Sequence, residues 1–218
     1  MSRIFLLSPA NCRGRRAAQV SSPRAQFPLA RALRGHEGAP LGETFAFISG
    51  LYFRGKLAYA ERFAAPPGPA DAIVGCGVHI ITPNAGLQPP DARVTPRTLH
   101  AFAGADVTLE NGHYRRPLER SARALAAEIG ADCEVVLLGS VASPKYVQVL
   151  TPIFGARLRF PLEFVGRGDM SRGGLLLRHV RAGRELDYGP VAGAVVHGPR
   201  PPKLQEYRIA GLQDGTGR

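Results

Sequence analysis

Four loops gather the side chains that could do chemistry in this chain. Ser8-Pro9-Ala10-Asn11-Cys12-Arg13-Gly14-Arg15-Arg16 joins a tight polar turn to three arginines, a combination suited to holding an anion against backbone amides. It lacks the Gly-Lys-Ser/Thr ending of a phosphate loop, which argues against nucleoside triphosphate hydrolysis. Thr82 to Asp91 carries Asn84, whose amide offers a donor and an acceptor together and so suits the polar edge of a nucleobase. An Asn close to a Gly is equally an ordinary turn residue. Gly139 to Ser143 is the third loop. Phe164 to Gly174 is the fourth, and it brings Arg167, Asp169, Ser171 and Arg172 together among glycines ahead of Leu175-Leu176-Leu177. Glycines permit close approach of a ligand, a helix N-terminus presents unpaired N–H groups, and arginines add charge. A basic surface loop capped by Ser171 is the plain alternative.

These loops matter because of the elements in front of them. Ile4 to Leu7, Ile73 to Thr82, Glu134 to Leu138 and Leu158 to Phe160 are short apolar runs, each followed by a turn signal and then a helical pattern. That alternation predicts an α/β fold, a three-layer α/β/α arrangement with a central, mostly parallel four-stranded sheet. Strands covered on both faces read as continuous rather than alternating apolar runs. Thr95-Pro96 and Ser143-Pro144 place a capping hydroxyl before a proline at a first helical position. Further helices are expected over Leu51 to Ala64, Pro117 to Ile129 and Ser171 to Arg181. Ligands of parallel α/β sheets sit beyond the carboxyl ends of the strands, which selects the four loops above.

The chain of 218 residues, 44% of them apolar, suits one domain over 1–197, with 198–218 expected as an extended or disordered tail. A formal charge of +11 points to a polyanionic partner, with nucleic acid the obvious one. Arginine makes up 25 of the 28 basic residues, which a GC-rich genome would explain, but such a bias does not explain the excess of basic over acidic groups. Three separated cysteines and six scattered histidines suggest neither disulfides nor a metal site, and no cofactor is expected. The run Ile4 to Leu7 is too short for a secretory leader and no segment approaches a membrane span. A cytoplasmic monomer without membrane association is expected.

Several segments, in order, resemble the uracil-DNA glycosylase superfamily, closest to its iron–sulfur branch. Val78 to Arg97 (VHIITPNAGLQPPDARVTPR) is similar to the family's strand ending in Asn, followed by Pro-Pro and a Thr-Pro helix start. Tyr114 to Val149 is similar to its Arg-Pro-x-Leu-Glu helix, its buried strand ending in Leu-Gly and the helix after it. Asp169-Met170-Ser171 stands where the family has His-Pro-Ser ahead of a Leu-rich helix. Together these cover about two-thirds of the chain. The chain departs from the pattern at the first motif, at the missing His, and in holding three cysteines where cluster ligation needs four, so an atypical member without a cluster is expected.

The resemblance implies a monofunctional hydrolase that removes uracil from DNA, single- or double-stranded, as in base-excision repair. By position, Asn84 matches the residue that reads the base edge. Phe27 matches the stacking aromatic, with Tyr52 and Phe53 as rivals, and Ser8 joins the substrate-binding set. Asn11 or Asp169 would orient water, while Arg167, Ser171 and Arg172 would stabilise the leaving base or hold DNA. Arg13, Arg15, Arg16 and Lys145 would contact phosphates. Lys145 is the one lysine expected near the site, so hydrolysis rather than lyase chemistry is expected. Cleavage of the base–sugar bond develops a cationic sugar and an anionic base, so it needs donors at the base and an oriented water. The same fold without catalysis, as a nucleic-acid or modified-base binding module, is the principal alternative. An enzyme of free nucleobases is a third.

Overall fold

The computed structural model describes residues 1–68, 73–195, 198–199 and 201–202. In chain order the elements are β1 (Arg3–Leu7), α1 (Arg15–Ser21), α2 (Pro28–Arg34), β2 (Ala39–Pro40), α3 (Leu41–Ser49) and α4 (Leu51–Phe63). Next come β3 (Val78–Ile81), β4 (Leu87–Gln88), β5 (Arg93–Val94), α5 (Pro96–Gly104), α6 (Gly112–Glu128) and β6 (Glu134–Leu138). The last are α7 (Pro144–Phe154), β7 (Leu158–Pro161), α8 (Asp169–Ala182) and β8 (Tyr188–Pro190).

The main sheet has six strands in the order β4-β3-β1-β6-β7-β8, where four were expected. The inner four, β3, β1, β6 and β7, are parallel, and antiparallel β4 and β8 extend the two edges. Phe5, Leu7, Val78, Val136 and Leu138 pack toward one layer with α1 to α5 and α8. Ile4, Leu6, Val135 and Leu137 pack toward α6 and α7 on the other face. The fold is therefore α/β with helices on both faces of a mostly parallel sheet. β1 and β6 are apolar almost throughout because each contributes to both cores.

The register puts Leu7 opposite Leu138, so Ser8 and Gly139 are neighbours just beyond the central strands. The chain leaves β1 toward β3 on one side and leaves β6 toward β7 on the other. Diverging exits from adjacent strands open a crevice where ligands of open α/β sheets bind. Behind it, α4 and α8 cross at backbone contact. A Cβ on Gly55 would lie 2.7 Å from the Gly173 carbonyl oxygen, and one on Gly173 would lie 2.8 Å from both the Leu51 carbonyl oxygen and the Tyr52 Cα. Only glycine allows this approach.

Two expectations need correction. Ile73 to Gly77 is a turn rather than the start of a strand, since Gly75 and Gly77 adopt positive φ (52° and 75°) and break the extended run. α6 starts five residues before Pro117, capped by Asn111, whose side chain accepts from the His113 amide. The tail assignment lies mostly outside the described residues, but Gly198, Pro199 and Pro202 are held against the fourth loop. A Cβ on Gly166 would meet the Pro199 carbonyl oxygen at 2.3 Å, and Arg167 Nη1 donates to the Pro202 carbonyl at 3.4 Å.

Candidate functional site

At the switch between β1 and β6 lies a second lysine, where Lys145 was the one lysine expected near the site. Lys56, on the inner face of α4, is 1% exposed. Its Nζ lies 2.6 Å from the Ser8 carbonyl oxygen and 2.8 Å from Ser8 Oγ, and 4.6 and 4.7 Å from the ring centroids of Tyr52 and Phe53. Ser8 Oγ also reaches the Leu138 carbonyl oxygen at 3.3 Å, which ties the hydroxyl to the end of β6. Burial pushes the Lys56 ammonium down to about 7, with Arg172 adding to the shift and Asp169 opposing it. Tyr52 completes the wall: its hydroxyl is buried and faces Arg172 without forming a hydrogen bond of good geometry, and burial raises it to about 12.

The fourth loop closes this end. Arg172 donates through Nε and Nη2 to the Phe164 carbonyl at 3.2 and 3.0 Å, stacks over the Phe164 ring, and lies 3.7 Å from Asp169 Oδ1. It is a structural clasp rather than a free phosphate ligand. Arg167 donates to the Glu163 carbonyl at 3.0 Å and to Ser171 Oγ at 3.3 Å. Asp169 begins α8 and is exposed.

Over the carboxyl ends of β1, β3 and β6 is a cleft of about 270 Å³, lined by Pro9 to Arg13, Pro83, Phe102, Ala105, Asp106, Val107, Lys145 and Tyr146. The first loop is held open over it by local bonds. Asn11 Oδ1 accepts from the Arg13 amide at 3.0 Å, and Arg13 reaches across to the Ala103 carbonyl at 2.7 Å and Asp106 Oδ1 at 2.6 Å. A larger, open cleft of about 1100 Å³ adjoins it through Ala105 and Asp106 and is lined by Asn84, Asn111, His113 and Arg116 among others. Asn84 is set there by a turn in which the Thr82 hydroxyl bonds the Gly86 carbonyl at 2.8 Å and accepts from the Ala85 amide at 3.0 Å. Gly86 lies against α6, where a Cβ would meet the Pro117 carbonyl oxygen at 2.4 Å. The Asn84 amide donates to the Ala101 carbonyl at 3.2 Å.

The loops thus bring Ser8, Asn11, Arg13, Asn84 and Lys145 to one edge of the sheet, with Tyr52, Arg167, Asp169, Ser171 and Arg172 beside Ser8 and Lys56. Phe27 is elsewhere. It stacks on Phe47 with ring centroids 5.1 Å apart and lines neither cleft. Phe53 is fully buried against Phe45 and cannot receive a base, whereas Tyr146 does line the smaller cleft. Arg16 reaches the Phe47 carbonyl at 3.4 Å, and Arg15 is exposed on α1. Asp106, which sequence reading passed over, borders both clefts. Among the described residues no group of three or more His, Cys, Asp or Glu side chains could hold a metal ion, and no helix is long and apolar enough to cross a membrane. Searches against protein-family models, curated proteins and solved structures found no match for this chain.

Proposed function

We propose that the protein is a DNA N-glycosyl hydrolase that takes an extruded base, uracil first among candidates, into the clefts at the carboxyl edge of its sheet. The observation that carries this reading is the pairing of Asn11 and Asn84, on the turns after β1 and β3, around two adjoining clefts that also carry Arg13, Lys145 and Arg116. Primary amides read base edges, and the surrounding cations complement phosphate and an anionic leaving base. The net charge of +11 supports a polyanionic substrate. Tyr146, largely buried but lining the smaller cleft, is the aromatic nearest a base held there, and Asp106 rather than Asp169 is the carboxylate bordering the clefts.

A second reading, a binding module without catalysis, is favoured by one observation. Among the described residues the carboxylates lining the clefts are Asp106, already paired with Arg13, and Glu110. Both readings are separated by incubating the protein with uracil-, hypoxanthine- and undamaged-base oligonucleotides, single- and double-stranded, followed by hot alkali. Uracil-dependent strand breaks support the hydrolase. Salt-sensitive binding without breaks supports the module. Asn84→Ala is expected to lose discrimination between bases while keeping its affinity for undamaged DNA, and full discrimination in that variant would remove Asn84 from the site.

A further inference from the structure

We propose that Lys56 and Ser8 form the proton-accepting pair of this site, Ser8 touching the attacking water and Lys56 taking up the proton behind it. The inference rests on the hydrolase reading and adds to it a positioning lysine that no motif indicates.

The geometry supplies each part. Ser8 is the first residue beyond β1, at the crevice between the diverging exits of β1 and β6. Gly139 stands opposite, and a Cβ there would lie 3.1 Å from Ser8 Cβ and 3.4 Å from Ser8 Oγ, so the glycine leaves room for a hydroxyl that is itself buried at the floor of the smaller cleft, whose lining begins at the next residue, Pro9. Nζ of Lys56 sits 2.8 Å behind Oγ against the Tyr52 and Phe53 rings and out of water, where an unprotonated amine is far less costly than an ammonium. The charged groups facing it are on α8, Asp169 and Arg172, and they act in opposite senses. Tyr52, on its own helix, and Tyr146, on α7, are both held protonated by burial. A neutral Lys56 donates one N–H to the Ser8 carbonyl and accepts from the Ser8 hydroxyl. A charged Lys56 donates to both, and the Ser8 hydroxyl turns to the Leu138 carbonyl. The pair therefore has two proton arrangements in one heavy-atom geometry.

In the reaction, water oxygen bonds to the anomeric carbon and the bond from that carbon to the base nitrogen breaks. The base leaves with the electron pair. The water proton passes to Ser8 Oγ as the Ser8 proton passes to Lys56 Nζ, so charge and atoms balance without a further reactant. Lys56 is a positioning and proton-storing residue, and Ser8 is the catalytic residue.

Two measurements test this on the full chain. The chain has three lysines, so lysine labelled at the ε-carbon gives three resolvable titrations. One is expected near neutrality and is expected to move in Ser8→Ala, whereas three ordinary titrations near about 10.4 overturn the pair. Single-turnover base release is expected to rise with pH through the midpoint of that titration, and to fall about 100-fold or more, with a flattened profile, in Lys56→Met and Ser8→Ala. An active wild type with unimpaired variants overturns the pair and leaves the hydrolase standing. A wild type that releases no base from any oligonucleotide overturns the hydrolase and this role with it. If Lys56→Met does not fold, Ser8→Ala and the titration decide.

Discussion

An amine buried to 1% exposure is a liability at the residue scale, because its charged form has lost its water. With the Lys56 ammonium held at about 7, the unfolded chain binds more protons than the folded one between pH 7 and the ordinary lysine range near about 10.4. The sign follows: stability rises with pH across that interval, and the penalty is fully present below pH 7. The expected slope is about 1.4 kcal/mol per pH unit. Urea unfolding between pH 7 and 8 checks it, below the midpoint of unfolded-state thiols at about 8.5. Lys56→Met should remove the slope, and an identical slope in both proteins would mean that Lys56 is not the source. The same burial explains why the sequence conceals Lys56. A lysine in the middle of a helix with mixed faces reads as solvent-facing, and nothing in Leu51 to Ala64 alone says that another helix will seal it in. The positions of Ser8, Asn11 and Asn84 beyond the ends of β1 and β3 were legible because they lie on the turns after apolar runs. Phe27 was placed by resemblance alone, and its ring found a nearer apolar partner in Phe47.

Seen element by element, the seal is the crossing of α4 and α8. Gly55 and Gly173 let the two backbones touch, which carries Tyr52 and Lys56 of one helix against Arg172 and Asp169 of the other. Gly173→Ala inserts a methyl group where a Cβ would stand 2.8 Å from neighbouring backbone, so the helices must separate. Overpacking of this kind is expected to lower stability by about 1–3 kcal/mol. Thermal unfolding measures it, and a shift in the Lys56 titration toward the ordinary range should accompany it as water reaches the amine. An unchanged melting temperature and titration would show that the crossing does not govern the site. Ile4 to Leu7 and Glu134 to Leu138 announced the central strands because both their faces are covered. The edge strand β8, Tyr188-Gly189-Pro190, has no such signature, since an outer antiparallel strand needs only three residues and one partner. Helix α3 follows Pro40 without a side-chain cap, and so lacks the start signal that marked α5, where Thr95 accepts from the Thr98 amide.

For the whole molecule, the excess of arginine is the property most directly tied to the proposed substrate. Several of these arginines are spent within the fold: Arg3 pairs with Glu134 and Glu185, Arg34 reaches the Ser22 and Ala25 carbonyls, and Arg172 clasps Phe164. Exposed cations on the carboxyl side, Arg15, Arg116 and half-buried Lys145, remain for phosphates. DNA affinity should fall steeply with salt, the logarithmic slope being roughly −0.9 per phosphate neutralised on a duplex. Arg15→Ala should reduce that slope by about one if Arg15 contacts a phosphate, as titrations at several salt concentrations will read. A slope unchanged by Arg15→Ala would place the phosphate track elsewhere.

The segment around Pro199 and Pro202, folded back on Gly166 and Arg167, gives the two ends of the described chain unequal standing. Met1 is 90% exposed and precedes β1, so it emerges at the amino edge of the sheet, a strand's length from Ser8. The last described residues instead lie against the loop that flanks Ser8 and Lys56. An affinity handle or fluorescent fusion attached ahead of Met1 leaves the mouth of the site open. One attached soon after Pro202 hangs beside it, in competition with whatever polymer the clefts receive.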